Sequence, residues 1–232
     1  MKVVVITRDQ PLEIPKFEEC LRGFDHLYVI DRPSVEYPTG IPAIYNFSGE
    51  GFLAGRMRDL GALSFAGEDI LFLDGDKVPQ GDLRAVENAP FDCVLLGVQN
   101  DKREYFDGTT HSITLPDIHY QANGCYTCGI LYRADVISTF RKYNEGRIFH
   151  PTFDGTWGEE DTWNGDIMNH EKIRVGVVSD CWLSGTIGGW ENPKLPQLVS
   201  NFVKRLSLRE KFKFCCTLNT DSDEFDAYLD SD

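Results

Sequence analysis

Ala66-Gly67-Glu68-Asp69-Ile70-Leu71-Phe72-Leu73-Asp74-Gly75-Asp76 is the stretch that decides the fold. A polar turn leads into four consecutive apolar residues, which stop on two acids separated by glycine. A short, continuous apolar run suits a strand covered on both faces of a sheet. The same pattern recurs at residues 2–6, 27–30 and 93–98. Between these runs, residues 13–22, 52–66 and 80–87 carry helical patterns, the second with Phe52, Met57, Leu60, Leu63 and Phe65 in near-helical register. Strand and helix in alternation predict an α/β fold with a mostly parallel central sheet flanked by helices. Ligands of such sheets bind at the carboxyl ends of the strands. Thr7, Arg8 and Asp9, then Asp31 and Arg32, then Asp74-Gly75-Asp76 follow successive runs and are expected to converge on one edge.

The 232 residues, 41% hydrophobic and 26% charged, suffice for one sizeable core and predict one domain. The net charge of −14 argues against broad adhesion to nucleic acid or anionic lipid. The acidity is uneven: residues 221–232 hold six acids and no base and read as an acidic tail, preceded by a basic stretch from Lys194 to Lys213. No run reaches the length of a membrane span, and the N-terminal apolar run is too short for a signal-peptide core. Seven cysteines, an odd number, read as reduced thiols rather than a secreted framework, so a soluble, cytoplasmic protein is expected. Cys125-x-x-Cys128 lacks two further ligands at zinc spacing.

Asp-x-Asp occurs three times, about as often as chance gives for this composition, and two of the three lie in the tail. Position separates Asp74-Gly75-Asp76 from the others, because it stands where a strand leaves the core. Two carboxylates there suit Mn2+ or Mg2+ bound mainly through a substrate's phosphates. An Asx-turn closing the strand would carry the same residues. A second acidic cluster, Glu159-Glu160-Asp161, opens an amphipathic stretch after Gly155-Thr156-Trp157-Gly158. Acids cap helices, but three in a row exceed what a cap needs, and one of them can serve as a general base.

Taken together, the run from Gly51 to Gly61 with Arg58-Asp59-Leu60-Gly61, the segment from Ala66 to Asp76, and Trp157-Gly158-Glu159-Glu160-Asp161 resemble the GT-A fold glycosyltransferases. The likeness is strongest to the family 2 type, with a Trp-Gly-x-Glu-Asp stretch similar to that of galactosyltransferase-like members. It spans residues 1–190 and includes the strand and arginine within Gly124 to Asp135. The resemblance implies a single GT-A domain over 1–220, with a Rossmann-like nucleotide-binding half (1–100) and an acceptor half (101–220). It implies a metal-dependent, inverting glycosyltransferase with a UDP- or GDP-sugar donor, a glycan or other hydroxyl acceptor, and Mn2+ or Mg2+ as cofactor. By matching position, Thr7, Arg8 and Asp31 hold the nucleoside, Arg58, Asp59, Asp74 and Gly75 line the donor site, and Asp74 and Asp76 bind the metal. Asp161 acts as base with Glu160 beside it. Many members place a further metal ligand, often His, after the next strand; Asp180 stands at that place here, following Val175-Gly176-Val177-Val178.

Trp182 and Trp190 flank a Gly-rich segment taken as a loop beyond the last strand, and with Trp157 they are the expected acceptor contacts. Residues 99–122 read as a long polar connection containing His111 and His119, with the length of a functional loop. Two other functions remain open. A glycosyltransferase acting on a hydroxylated base in DNA would use the basic stretch 194–213, against the overall charge. A non-catalytic nucleotide-sugar-binding module would keep the donor residues without the base.

Overall fold

The computed structural model describes residues 1–51, 53–99, 105–106, 112–113, 128–155 and 159–184. Strand β1 (Lys2–Thr7) is followed by a 3-10 turn (Pro11–Glu13), helix α1 (Ile14–Cys20), β2 (His26–Asp31), β3 (Ala43–Asn46), α2 (Ala54–Leu63) and β4 (Ile70–Asp74). Next come β5 (Pro79–Gly81), α3 (Leu83–Asn88), β6 (Cys93–Gln99), and the two-residue strands β7 (Tyr105–Phe106) and β8 (Ser112–Ile113). Then follow β9 (Gly129–Tyr132), α4 (Ala134–Tyr143), a 3-10 turn (Pro151–Phe153), α5 (Glu159–Glu171) and β10 (Val175–Ser184).

One mixed sheet runs in the order β3-β2-β1-β4-β9-β6-β10-β5, with β7 and β8 as a hairpin added to β6. β3, β2, β1 and β4 are mutually parallel, and β6 and β10 are parallel to each other. β9 lies antiparallel between β4 and β6, and β5 antiparallel on β10, so six of the eight strands on this path share one direction. The mostly parallel, helix-flanked α/β sheet expected from the apolar runs is therefore present, as a single domain.

Alternation along β1 explains the two-sided core. Val4 and Ile6 enter one cluster with residues of α2, α4 and α5, whereas Val3 and Val5 enter another with residues of α1 and α3. Helix α2 can approach the sheet closely because residue 61 is glycine: a Cβ there would lie 2.4 Å from Val4 Cγ1. Three sequence expectations shift. The helix expected over 80–87 starts at Leu83, because Gln80 and Gly81 belong to strand β5, Gly81 takes a left-handed φ of 91°, and Asp82 caps the helix by accepting from Arg84 N at 2.9 Å. The edge strand β3 joins the sheet at residues not read as strand. β10 continues to Ser184 rather than stopping at Val178.

From β1 the chain steps through α1 to β2 and on to β3, then returns through α2 to place β4 on the other side of β1. The direction of winding therefore reverses between β1 and β4, and their carboxyl ends form the crevice at which doubly wound sheets bind ligands.

Candidate functional site

At that crevice the backbone builds a tight turn. Asp74 N donates to Cys128 O at 2.9 Å, Gly75 N to Ile6 O at 2.7 Å, and Lys77 N back to Asp74 O at 3.1 Å. Gly75 is required by proximity: a Cβ there would lie 2.5 Å from Thr7 Cβ. The turn from Asp74 to Lys77 is thus pressed against the end of β1. The Asp76 side chain is 51% exposed, with Lys77 Nζ 3.0 Å from its Oδ2.

Arg58 organises the rest. Its side chain is 2% exposed, donating from Nη2 to Asp74 Oδ1 at 2.8 Å and from Nη1 to Glu160 Oε1 at 3.4 Å, with Asp161 Oδ1 at 3.9 Å. The guanidinium also lies over the Phe149 ring, 5.6 Å from its centroid. Burial disfavours the charge on Arg58, but Asp74, Asp161 and Glu160 together raise its hold on the proton above the ordinary value. Burial raises the proton affinity of Asp74, and Asp76 adds to that effect against the pull of Arg58. One buried cation therefore ties the turn after β4 to the first turn of α5.

Two polar networks hold the partners of Arg58 in place. Asn144 and Asn164 are fully buried; Asn144 donates to Ile148 O at 2.5 Å and Asn164 Oδ1 at 2.9 Å, and accepts from Trp163 Nε1 at 2.7 Å. This fixes α5 to the segment carrying Phe149. Asp59, the neighbour of Arg58 on α2, is turned to the same segment: it accepts from Arg147 Nε at 2.8 Å and Ile148 N at 2.7 Å. Burial pushes its carboxyl up to about 6, despite Arg147. Arg147 in turn forks onto Asp154 at 2.8 and 2.9 Å.

The ends of β1 and β2 carry a separate arrangement. Thr7 is 6% exposed, donates to Gln10 Oε1 at 2.8 Å and lies 3.1 Å from the Tyr37 hydroxyl, which also accepts from Gln10 N. Asp31 accepts from Arg32 Nε and Nη2 at 2.9 and 2.7 Å and from Asn46 Nδ2 at 2.8 Å. Burial opposes its charge, but these donors hold it below the usual carboxylate range. Arg32 also donates to Gly49 O at 2.9 Å and Gly51 O at 2.6 Å, and Gly51 lies against Gly155, the residue that precedes the approach to α5. Arg8 is exposed at the end of β1.

Of the residues singled out from sequence, the structure gathers Asp74, Arg58, Glu160 and Asp161 into one cluster, with Gly75 and Asp76 on its rim and Thr7 in contact with Gly75. Asp31 stands at the same sheet edge with its carboxylate engaged by Arg32 and Asn46. Asp59 is one residue from Arg58 but about 100° around the helix, so it braces the Arg147 segment instead. Asp180 lies in β10, which pairs with β5. Its carbonyl accepts from Asp82 N at 2.9 Å, while it is Ser184 whose amide reaches Val78 O at 3.3 Å. Because β10 and β5 are antiparallel, Asp180 falls at the end of β5 remote from the Asp74 turn. Trp182 lies within β10 opposite Gln80, packed against Gly81, rather than at the rim of a loop. Trp157, Trp190, His111, His119, Cys125 and residues 185–232 lie outside the described residues.

Lys77, Phe149 and Tyr37 were not singled out. Lys77 had a visible signal, a cation directly after the acidic turn; the other two are brought in by tertiary contacts. Among the described residues no group of three or more His, Cys, Asp and Glu is arranged to hold a metal ion. Two acids at a strand end are the kind of donor set that holds Mg2+ or Mn2+ together with substrate phosphates; here Asp74 Oδ1 carries Arg58 Nη2 at 2.8 Å and Asp76 Oδ2 carries Lys77 Nζ at 3.0 Å.

No protein-family profile and no curated protein sequence matches the chain. Solved structures similar to it include the following three. GalNAc-T7 with UDP, GalNAc and Mn2+ shares 12% identity at a TM-score of 0.54, over 88% of this chain and 47% of that one. A197 from STIV shares 15% identity at 0.49, over 81% and 86%. A Bacillus anthracis protein assigned as a glucose-1-phosphate thymidylyltransferase, in complex with a sucrose, shares 11% at 0.45, over 89% and 96%. The chain spans less than half the length of the GalNAc-T7 structure. That likeness is the one of the three that carries weight, and at 12% identity it concerns the fold alone: this chain shares its mostly parallel, helix-flanked α/β architecture.

Proposed function

We propose that the chain is a glycosyltransferase that moves a sugar from a nucleotide-sugar donor, a UDP- or GDP-sugar, to a hydroxyl acceptor such as a glycan, with inversion. The observation that carries this reading is Arg58, which joins Asp74 at the β1/β4 crevice to Glu160 and Asp161 on α5. A donor lying along the crevice puts its diphosphate at Asp74 and Asp76 and its nucleoside toward Thr7, Arg8 and Asp31. A bound Mn2+ or Mg2+, held by Asp76 and Asp74 with the phosphates, would offset charge on the departing diphosphate.

The residues of the chain divide the remaining work. Asp161, at the start of α5 with its side chain 19% exposed, is the general base and takes the proton of the acceptor hydroxyl. The acceptor oxygen bonds to the anomeric carbon as the bond from that carbon to the diphosphate oxygen breaks, and the nucleoside diphosphate leaves. Attack opposite the leaving group inverts the anomeric centre. Glu160, nearly buried against Arg58, orients the first turn of α5 and thereby Asp161. Gly75 keeps the turn low enough for the donor to pass over Thr7.

The test is transfer or hydrolysis by the purified protein with Mn2+ across UDP-, GDP- and dTDP-sugars. At least one donor should turn over, and Asp161→Asn should lower the rate by at least ~100-fold while nucleotide binding persists. Donor binding without turnover on any acceptor would instead favour a binding module, and unchanged turnover in Asp161→Asn would exclude this base.

A further inference from the structure

Lys77 is absent from that assignment, although it closes the acidic turn. Its backbone amide donates to Asp74 O at 3.1 Å, so the peptide that carries it is fixed by the same turn that presents the two acids. Its side chain is 12% exposed, low for a lysine at a sheet edge, whereas its partner Asp76 is 51% exposed; the ammonium lies 3.0 Å from Asp76 Oδ2. Lys77 also acts on Asp74 electrostatically, in the same direction as Arg58. Each acid of the turn thus has a cation of the chain beside it, Arg58 for Asp74 and Lys77 for Asp76.

Two consequences follow from charge. A bare divalent ion arriving at this turn meets an Asp74 oxygen held by Arg58 and must compete with an ammonium for an Asp76 oxygen. A diphosphate meets a lysine whose stem is anchored and whose head needs to shift only from a carboxylate to a phosphate oxygen beside it. Lysine binds phosphate as a compact point charge, without the fixed geometry of arginine.

We propose that Lys77 is a diphosphate-binding residue, which pairs with Asp76 until a nucleoside diphosphate arrives, so that nucleotide binds without a divalent metal and the metal alone binds weakly. This rests on the donor-site reading above and adds to it a cation that the acidic motif does not predict.

The experiment measures UDP and GDP binding by calorimetry in EDTA and in Mn2+, and Mn2+ binding alone by electron paramagnetic resonance, for the unchanged chain, Lys77→Met and Lys77→Arg. The unchanged chain should bind one nucleotide in EDTA. Lys77→Met should weaken that binding by about tenfold or more, the loss of one charge-assisted contact, and should take up Mn2+ alone several-fold more tightly. Lys77→Arg keeps the cation and should retain nucleotide binding in EDTA, which separates loss of charge from loss of structure. The proposal is overturned if Lys77→Met matches the unchanged chain in both measurements, or if nucleotide binding requires Mn2+ absolutely. Failure of every nucleotide to bind even with Mn2+ would remove the donor-site reading itself, and this proposal with it.

Discussion

Arg58 concentrates more of the fold and of the site than any other residue. Its side chain is buried with three carboxylates around it, and deleting one partner of a buried ion pair leaves the others uncompensated, a loss of about 3–5 kcal/mol. Arg58→Met should therefore lower the melting temperature by roughly 6–20 °C, taking about 2–4 °C per kcal/mol for a chain of this size; a calorimetric scan reads it directly, and a shift under a degree would mean that Arg58 does not bridge. Asp76→Ala makes the contrast. Its half-exposed side chain leaves stability within about 0.5 kcal/mol, so a loss of nucleotide binding there is a loss of contact and not of folding. Much of this scale was legible from the sequence, because Asp74, Asp76, Glu160 and Asp161 stand at strand and helix ends. The bridge was not: Arg58 and Glu160 are 102 positions apart, and no local pattern records which cation turns to which acid. The same limit explains Asp59, adjacent to Arg58 in sequence and aimed elsewhere by the helical turn.

At the scale of elements, the question is what aims α5 at the crevice. The answer is a buried amide network rather than apolar packing alone: Asn144, Asn164, Trp163 Nε1 and the carbonyl of Ile148 satisfy one another. Asn144→Leu would strand these partners in the interior, where an unsatisfied group costs about 1–3 kcal/mol. The expected result is a fall of roughly 2–12 °C in melting temperature, accompanied by a loss of transfer beyond what the residual folded fraction explains; an unchanged scan would contradict the role given to the network. The strands with four or more consecutive apolar residues announced themselves. β5 did not, because Pro79-Gln80-Gly81 has no apolar pattern and exists as a strand through its pairing with β10. The same pairing sets the backbone of Asp180 beside Asp82, which spacing along the chain could not reveal. β3 escaped notice for a related reason, being a four-residue edge strand defined by its partner β2.

For the whole molecule, the order β3-β2-β1-β4 matters more than the number of strands, because it creates the reversal between β1 and β4. The apolar runs implied parallel strands and helices on both faces, and both are present. They did not imply that β9 runs antiparallel through the middle of the sheet, joining the parallel set β3-β2-β1-β4 to the set of β6 and β10. Charge follows the same geometry. Asp31, Asp74, Asp76, Glu160 and Asp161 lie at one edge, where Arg32, Arg58 and Lys77 offset three of their five charges. A ligand carrying both a diphosphate and a hydroxylated sugar suits such an edge. The most direct measurement is thermal stabilisation by UDP, GDP and their sugars with and without Mn2+, in the unchanged chain and in Asp76→Ala. A nucleotide at about 100 times its dissociation constant adds about 2.7 kcal/mol to the folded state, so at least one should raise the melting temperature by several degrees, and Asp76→Ala should lose the part of the rise that Mn2+ adds. No stabilisation by any nucleotide, or the same Mn2+-dependent gain in Asp76→Ala, would contradict a nucleotide-sugar site at the β1/β4 crevice.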